Sequence, residues 1–201
     1  KAWMLYERWC WVALCEAIES RTKGKARIVS KGRLLKTKIE GWHVYLSIDG
    51  RGSGDWMDDG GTWAESETPW GGVLKRWSWP SNPDGLIVVN ERAHIWDAKY
   101  RRLANGRYAS GYVYQAHAFR DSMYRNEKPI GWSVVIHPGL GVLNGDGKPT
   151  VPLGWKEGKG SKRSERPGEM GGGVGLVRLA PGQGEAPDLN AFLDELEGFH
   201  G

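Results

Sequence analysis

Cysteine is scarce, with Cys10 and Cys15 the only two in 201 residues. Both fall in a helical-looking segment, five positions apart, where they point in different directions and are poorly placed for a disulfide. A disulfide framework is therefore excluded, and buried thiols in a reducing, cytoplasmic compartment are the simplest expectation. Zinc is poorly supported too, because no CxxC or Cys/His pair has ligand spacing. Long apolar runs are also lacking. The longest, Trp9 to Cys15, is too short to span a bilayer, and no signal peptide is visible. No phosphate-binding P-loop, dinucleotide fingerprint or nucleophile elbow occurs. Asp55, Asp58 and Asp59 lack the alternate spacing of a calcium loop. These absences leave the common nucleotide-binding, zinc, calcium and serine-hydrolase chemistries poorly supported.

What is present is globular in composition, at 39% hydrophobic and 26% charged. The net charge of +4 tolerates a polyanionic partner without demanding one. Thirty glycines imply long turns. The chain begins at Lys1, so a longer protein of which this is the C-terminal part is expected. The segment WMLYERWCWVALCEAIES reads as a helix. With Glu7 at zero on a wheel of ~100° per residue, Leu14, Ile18 and Trp11 fall within ~40° of it, and Glu19 and Glu16 lie ~120° and ~180° away. Glu7 thus centres the strongest apolar stripe. Two readings stay open: a buried functional acid, or a residue at a solvent gap beside a second patch of Leu5, Trp9 and Val12.

A basic, turn-rich stretch follows from Arg21 to Lys38, then a strand in GWHVYLSIDG. Residues 50–82 read as an irregular Trp/Gly-rich insertion. Trp56, Trp63, Trp70 and Trp77 recur every seven positions there, but glycines and Pro69 exclude a coiled coil. They are packing anchors or a stacking surface for bases or sugars. Leu86–Asn90 and Ala93–Tyr100 predict a hairpin. GYVYQAHAFRDSMYR predicts a second helix and GWSVVIHP a core strand. Residues 139–174 read as a Gly-rich mobile loop. GVGLVRLAPG predicts another strand, and DLNAFLDELEGF a last helix with Asp188 as N-cap. The fold class is α/β, a small mixed β-sheet of about four to six strands flanked by α-helices, in one domain over residues 1–201.

The hairpin carries the chemistry. In IWDAKYR an acid and a lysine stand two apart inside an apolar run, where burial is costly unless the charges are paired or bind something. Alternation puts Asp97 and Lys99 on one strand face and Trp96, Ala98 and Tyr100 on the other, against the core. PDG places Asp84 where the preceding strand begins, so the hairpin can bring two carboxylates to one divalent cation. Lys99 can then orient the attacking water and steady developing phosphorane charge. Acid-x-Lys alone is weak: Asp146-Gly147-Lys148 and Glu157-Gly158-Lys159 repeat it in the Gly-rich loop. The plain alternative for Asp97 and Lys99 is an ion pair on an edge strand.

The order PDGLIV, HIWDAKYR, then YQAHAFRD resembles the PD-(D/E)xK nuclease superfamily, whose core is restriction-endonuclease-like. Within it, the chain is most similar to the branch holding the McrC nuclease subunit of modification-dependent restriction systems and related domains of bacterial defence proteins. LYERWCWVALCEAI before the sheet, VVIHPG after the helix, and the closing LVRLAPG and NAFLDELEG match in order. Residues 50–80 and 144–172 match poorly. PDG departs from PD plus an aliphatic residue, and Phe119 stands where the family usually has Tyr. The resemblance implies a metal-dependent DNA endonuclease of a restriction or anti-phage system. It implies Asp84, Asp97, Ala98 and Glu7 as ligands of Mg²⁺, with Mn²⁺ able to substitute, and Lys99 as catalytic lysine. Gln115 and Phe119 match the Gln-x-x-x-aromatic pattern of the RecB-like branch, Gln115 toward the site and Phe119 packing below it. His117 faces away.

Arg101, Arg102 and Arg107 follow the catalytic strand and would neutralise flanking phosphates, or simply solvate a turn. Lys156, Lys159, Lys162, Arg163 and Arg166 could track a backbone too, though acids are interleaved. The implied partners are DNA and an AAA+ motor or other defence-complex subunit; no membrane is implied, and a homo-oligomer is compatible. The alternative function is a catalytically idle nucleic-acid-binding or scaffolding subunit.

Overall fold

A computed structural model describes residues 2–31, 34–47, 63–65, 83–100, 115–120, 123–125, 128–138, 173–182 and 186–198. Helix α1 is Ala2–Thr22. Strands β1 (Arg27–Lys31), β2 (Leu34–Ile39) and β3 (Trp42–Ser47) follow, then β4 (Trp63–Glu65), β5 (Gly85–Val89) and β6 (Arg92–Ala98). Residues 115–120 are helical (α2). Strands β7 (Met123–Arg125), β8 (Lys128–Pro129), β9 (Trp132–His137) and β10 (Gly173–Arg178) precede helix α3, Pro187–Glu197. The architecture is mixed α/β. A seven-stranded sheet runs β1-β2-β3-β5-β6-β9-β10, and a second sheet runs β4-β7-β8. β6 pairs antiparallel with β5 and parallel with β9, which is parallel to β10.

Alternation sorts the main sheet into two faces. Val44, Leu46, Ile87, Val89, Trp96, Ala98, Val134, Ile136 and Val177 share one core with α1 and α3. Tyr45, Leu86, Val88, Ala93 and Ile95 share the other with Phe119 of α2 and Ile130. α1 is fastened to its neighbours by Tyr6, whose hydroxyl donates to the Leu179 carbonyl at 2.7 Å. Arg21 adds an ion pair to Asp194 and a 2.7 Å bond to the Asn190 carbonyl. Glu7 is on the buried side of α1, whereas Leu5 and Val12 are exposed, so that second patch is not a core face.

The predicted hairpin forms as β5 and β6. Its two-residue turn holds Asn90 and Glu91 at φ 50° and 61°, the primed geometry that matches strand twist. Four expectations need correction. The sheet has seven strands, because the basic stretch from Arg21 to Lys38 contributes the β1–β2 hairpin. Charged residues on such an outer hairpin guard an exposed edge and hide its strand pattern. The second helix does not run to Arg125, since Met123–Arg125 pairs as a strand with β4. Tyr100 is exposed, tilted against Tyr6 with ring centroids 5.3 Å apart. Asp188 does not cap α3: Ala186 holds that position, and the Asp188 carboxylate accepts the Arg178 N–H at 3.1 Å. Of the insertion tryptophans only Trp63 is described, in β4. The others lie outside the described residues, as does the expected 139–174 loop apart from Gly173 and Val174, which belong to β10.

Trp96 accounts for the glycine of the PDG turn. Gly85 pairs with Trp96, and a Cβ at that position would collide with the indole. An aliphatic residue after Asp84 and a tryptophan at 96 are mutually exclusive. Gly85→Ala is expected to lose about 1–3 kcal/mol by overpacking. In urea titrations, combining it with Trp96→Leu should be less damaging than the two losses added; strict additivity would refute this steric account.

Candidate active site

The pairing of Gly85 with Trp96 sets Asp84 opposite Asp97, one step beyond the end of the ladder. The Ala98 N–H donates to Asp84 Oδ2 at 2.7 Å. On the other side of the same strand, the Lys99 N–H donates to the Ile136 carbonyl at 2.8 Å. Successive amides of a strand point opposite ways, so Asp97-Ala98-Lys99 is pinned from both flanks. Lys99 Nζ closes onto Asp97 Oδ2 in an ion pair. The edge-strand alternative fails on position, since β6 lies between β5 and β9.

The acids are deeply buried: Asp97 is 1% exposed, Asp84 8% and Glu7 9%. Burial raises the Asp84 carboxyl well above the usual carboxylate range, and the charges of Asp97 and Glu7 push it further up. The Lys99 ammonium and the Ala98 N–H oppose this. Burial raises Asp97 as well, against Lys99, which favours its anion. Both carboxyls are thus raised by burial, and Asp97 is the one in direct contact with the Lys99 ammonium. Neither oxygen of Asp97 has a hydrogen-bond partner beyond that ion pair.

Asp84, Asp97, Ala98 and Lys99 thus meet at one point. Glu7 reaches it from α1 close enough for its charge to act on Asp84. Among the described residues no three His, Cys, Asp or Glu side chains gather as a metal-ligand group. Gln115 is half-buried at the start of the described part of α2 and makes no hydrogen bond to Asp84, Asp97 or Lys99. Phe119 packs below the site against Leu86 and Ile95, as the helical spacing predicts, and His117 is exposed. Arg101, Arg102 and Arg107 lie outside the described residues.

Cys10 approaches the same acids, but burial and the charges of Asp84 and Glu7 push its thiol up, which leaves no thiolate nucleophile. Sequence reasoning misses Ser47. It ends β3 opposite Asp84, and its N–H donates to the Asp84 carbonyl at 2.9 Å. Its hydroxyl is buried at 2% exposure without a hydrogen-bond partner. Only the alternation within WHVYLS could mark it, once β3 is known to neighbour β5.

No model of a known protein family matches the chain, and no curated protein matches it. No described helix is long and apolar enough to cross a membrane.

Two buried carboxyls should make the metal-free site a source of instability. An unfolded Asp ionises near pH ~4, whereas folded Asp84 keeps its proton to higher pH. Folding then takes up a proton, and stability falls as pH rises from about 4 through the folded pKa. Asn at position 84 mimics the neutral acid and keeps an oxygen for the Ala98 N–H. In chelator at pH 7, Asp84→Asn should gain about 1 kcal/mol, or ~2–4 °C, with a flatter pH dependence. A lower melting temperature than wild type would show that the carboxyl is not strained.

Proposed function

We propose that this chain is a metal-dependent nuclease domain that hydrolyses phosphodiester bonds in DNA, built on a PD-(D/E)xK-type core. The observation that carries the proposal is the bond from the Ala98 N–H to Asp84. It locks the acid of the Pro-Asp turn onto the residue between Asp97 and Lys99. That juxtaposition of two carboxylates and an amine suits metal-assisted phosphodiester hydrolysis, and an incidental surface ion pair would not supply it.

The donor set suits a hard cation. Asp84 and Asp97 offer carboxylate oxygens and Ala98 a backbone carbonyl. Asp97 has the Lys99 ammonium as its ion-pair partner, and burial raises both acids, so a further positive charge would favour the pair as anions. Mg²⁺ is commonly held by one or two carboxylates with water completing its shell, so a third protein acid is not required. This fits the position of Glu7, which would tune the field or take a water-mediated place. When bound, such an ion supplies Lewis-acid stabilisation of phosphate charge and makes water a stronger nucleophile. The chain's own part is positional. Asp97 orients the Lys99 ammonium, whose side chain remains partly exposed, where it can meet substrate. There the ammonium would orient attacking water and stabilise the charge that develops on phosphate. The buried surroundings strengthen that interaction relative to bulk water.

The setting in a restriction or anti-phage complex, with an AAA+ motor as partner, rests on the resemblance of the motifs. The test is a cleavage assay with Mg²⁺ or Mn²⁺ on plasmid, linear duplex, single-stranded DNA and RNA. Wild type should cut DNA. Lys99→Ala and Asp97→Ala should each lower the rate by at least ~10²–10³, the scale of losing one preorganised charge-stabilising group, while the fold persists by circular dichroism. A wild-type protein that binds DNA without cutting it would favour the idle subunit.

A further inference from the structure

The parallel half of the sheet carries a second set of chemistry beside the acids. Ala98 pairs with Ile136, and His137 pairs with Arg178. Lys99 therefore stands level with His137, and His137 with Arg178, across the carboxyl ends of β6, β9 and β10. Ala98, Ile136 and Val177 face the α1 core, so by alternation Lys99, His137 and Arg178 share the opposite face with Asp97. Adjacent strands are ~4.8 Å apart, which makes the row ~10 Å long. His137 is buried, and Lys99 and Arg178 are half-buried. The cations are therefore the members that solvent can reach.

Arg178 is the unexplained member. Its backbone N–H goes to Asp188, but among the described residues no carboxylate pairs with its guanidinium, and its Nε is buried without a hydrogen-bond partner. The guanidinium charge does reach His137. A buried donor on a permanent cation is costly unless a ligand completes it. The ligand class is anionic, and the guanidinium fork matches phosphate oxygens.

We infer that the row Lys99, His137 and Arg178 is the phosphate track on which one substrate strand runs past the cleavage point, with Arg178 gripping a phosphate beyond the scissile one. This rests on the nuclease reading above. A strand of duplex carries one charge per ~3.4 Å of axis, so ~10 Å of track spans about three phosphates. The two outer positions act differently. Burial and Arg178 lower the His137 imidazole to about pKa 4, so at neutral pH it is an uncharged partner. Arg178 is a fixed charge that displaces a counterion.

The experiment measures affinity for a short fluorescein-labelled DNA duplex by anisotropy across a KCl series at pH 7, in an Asp97→Asn background that holds the substrate uncut. Arg178→Ala should weaken binding severalfold and flatten the slope of log affinity against log salt by about 1. Arg178→Lys should restore most of that slope. His137→Gln should change affinity and leave the slope alone. Arg178→Ala with unchanged affinity and slope, in a protein that otherwise cuts DNA, would overturn the track and spare the nuclease reading. A wild type that neither binds nor cuts DNA would sink both. Loss of slope that Arg178→Lys does not recover, with a lowered melting temperature, would assign Arg178 a structural role and also overturn the track.

Discussion

The structure depends on burying one carboxyl, Asp84, and holding it in place. A buried acid costs free energy unless its polar atoms are answered. Here the answer comes from the backbone of the neighbouring strand, through the Ala98 N–H, and not from a side chain that could swing away. That single bond fixes where the Pro83-Asp84 turn meets β6. Because Asp97, Ala98 and Lys99 are consecutive, it also fixes the distance between the two acids and the amine. The other constraints serve the same junction. Gly85 lets the turn pass over the Trp96 indole. The Lys99 N–H holds the far side of the strand against Ile136.

The two faces of the sheet carry cores of different size. The α1 and α3 face is a broad apolar core running from Tyr6 to Leu196. The opposite face has a smaller core around Phe119 and accommodates buried polar groups that gain little within the fold. The hydroxyls of Ser47 and Ser133 have no hydrogen-bond partner. Such groups are normally satisfied in native proteins.

Much of this is legible in the amino-acid sequence alone. The wheel puts Glu7 on the buried stripe, and strand alternation puts Asp97 and Lys99 together and Trp96 in the core. Those inferences use periods within one element, which sequence displays directly. What escapes such reading is relational. PDG reads as a departure until Gly85 is seen to face Trp96, a residue on another strand. Ser47 and Arg178 carry no local mark, since their significance arises from register between β3 and β5 and between β9 and β10. The β1–β2 hairpin is hidden for a different reason. Its lysines and arginines mask an alternating pattern that an outer strand does not need. Asp188 reads as a cap because acids before helices usually are, yet it answers a strand amide instead.

Topology explains why these groups converge at this end of the sheet and not the other. β6 is antiparallel to β5 and parallel to β9. Its carboxyl end therefore lies beside the entry to β5, where Asp84 sits, and beside the exits of β9 and β10, where His137 and Arg178 sit. In an all-antiparallel sheet the exit of β6 would adjoin the entry of the next strand, and a row of side chains leaving three strands at one level could not form. In an all-parallel sheet Asp84 would lie at the opposite end from Lys99. A strand with one neighbour of each kind is the arrangement that sets a preceding acid on one flank and an imidazole and a guanidinium on the other. It also leaves the connections after β6, β9 and β10 free to vary, as loops at the carboxyl ends of strands commonly do when they carry ligand choice.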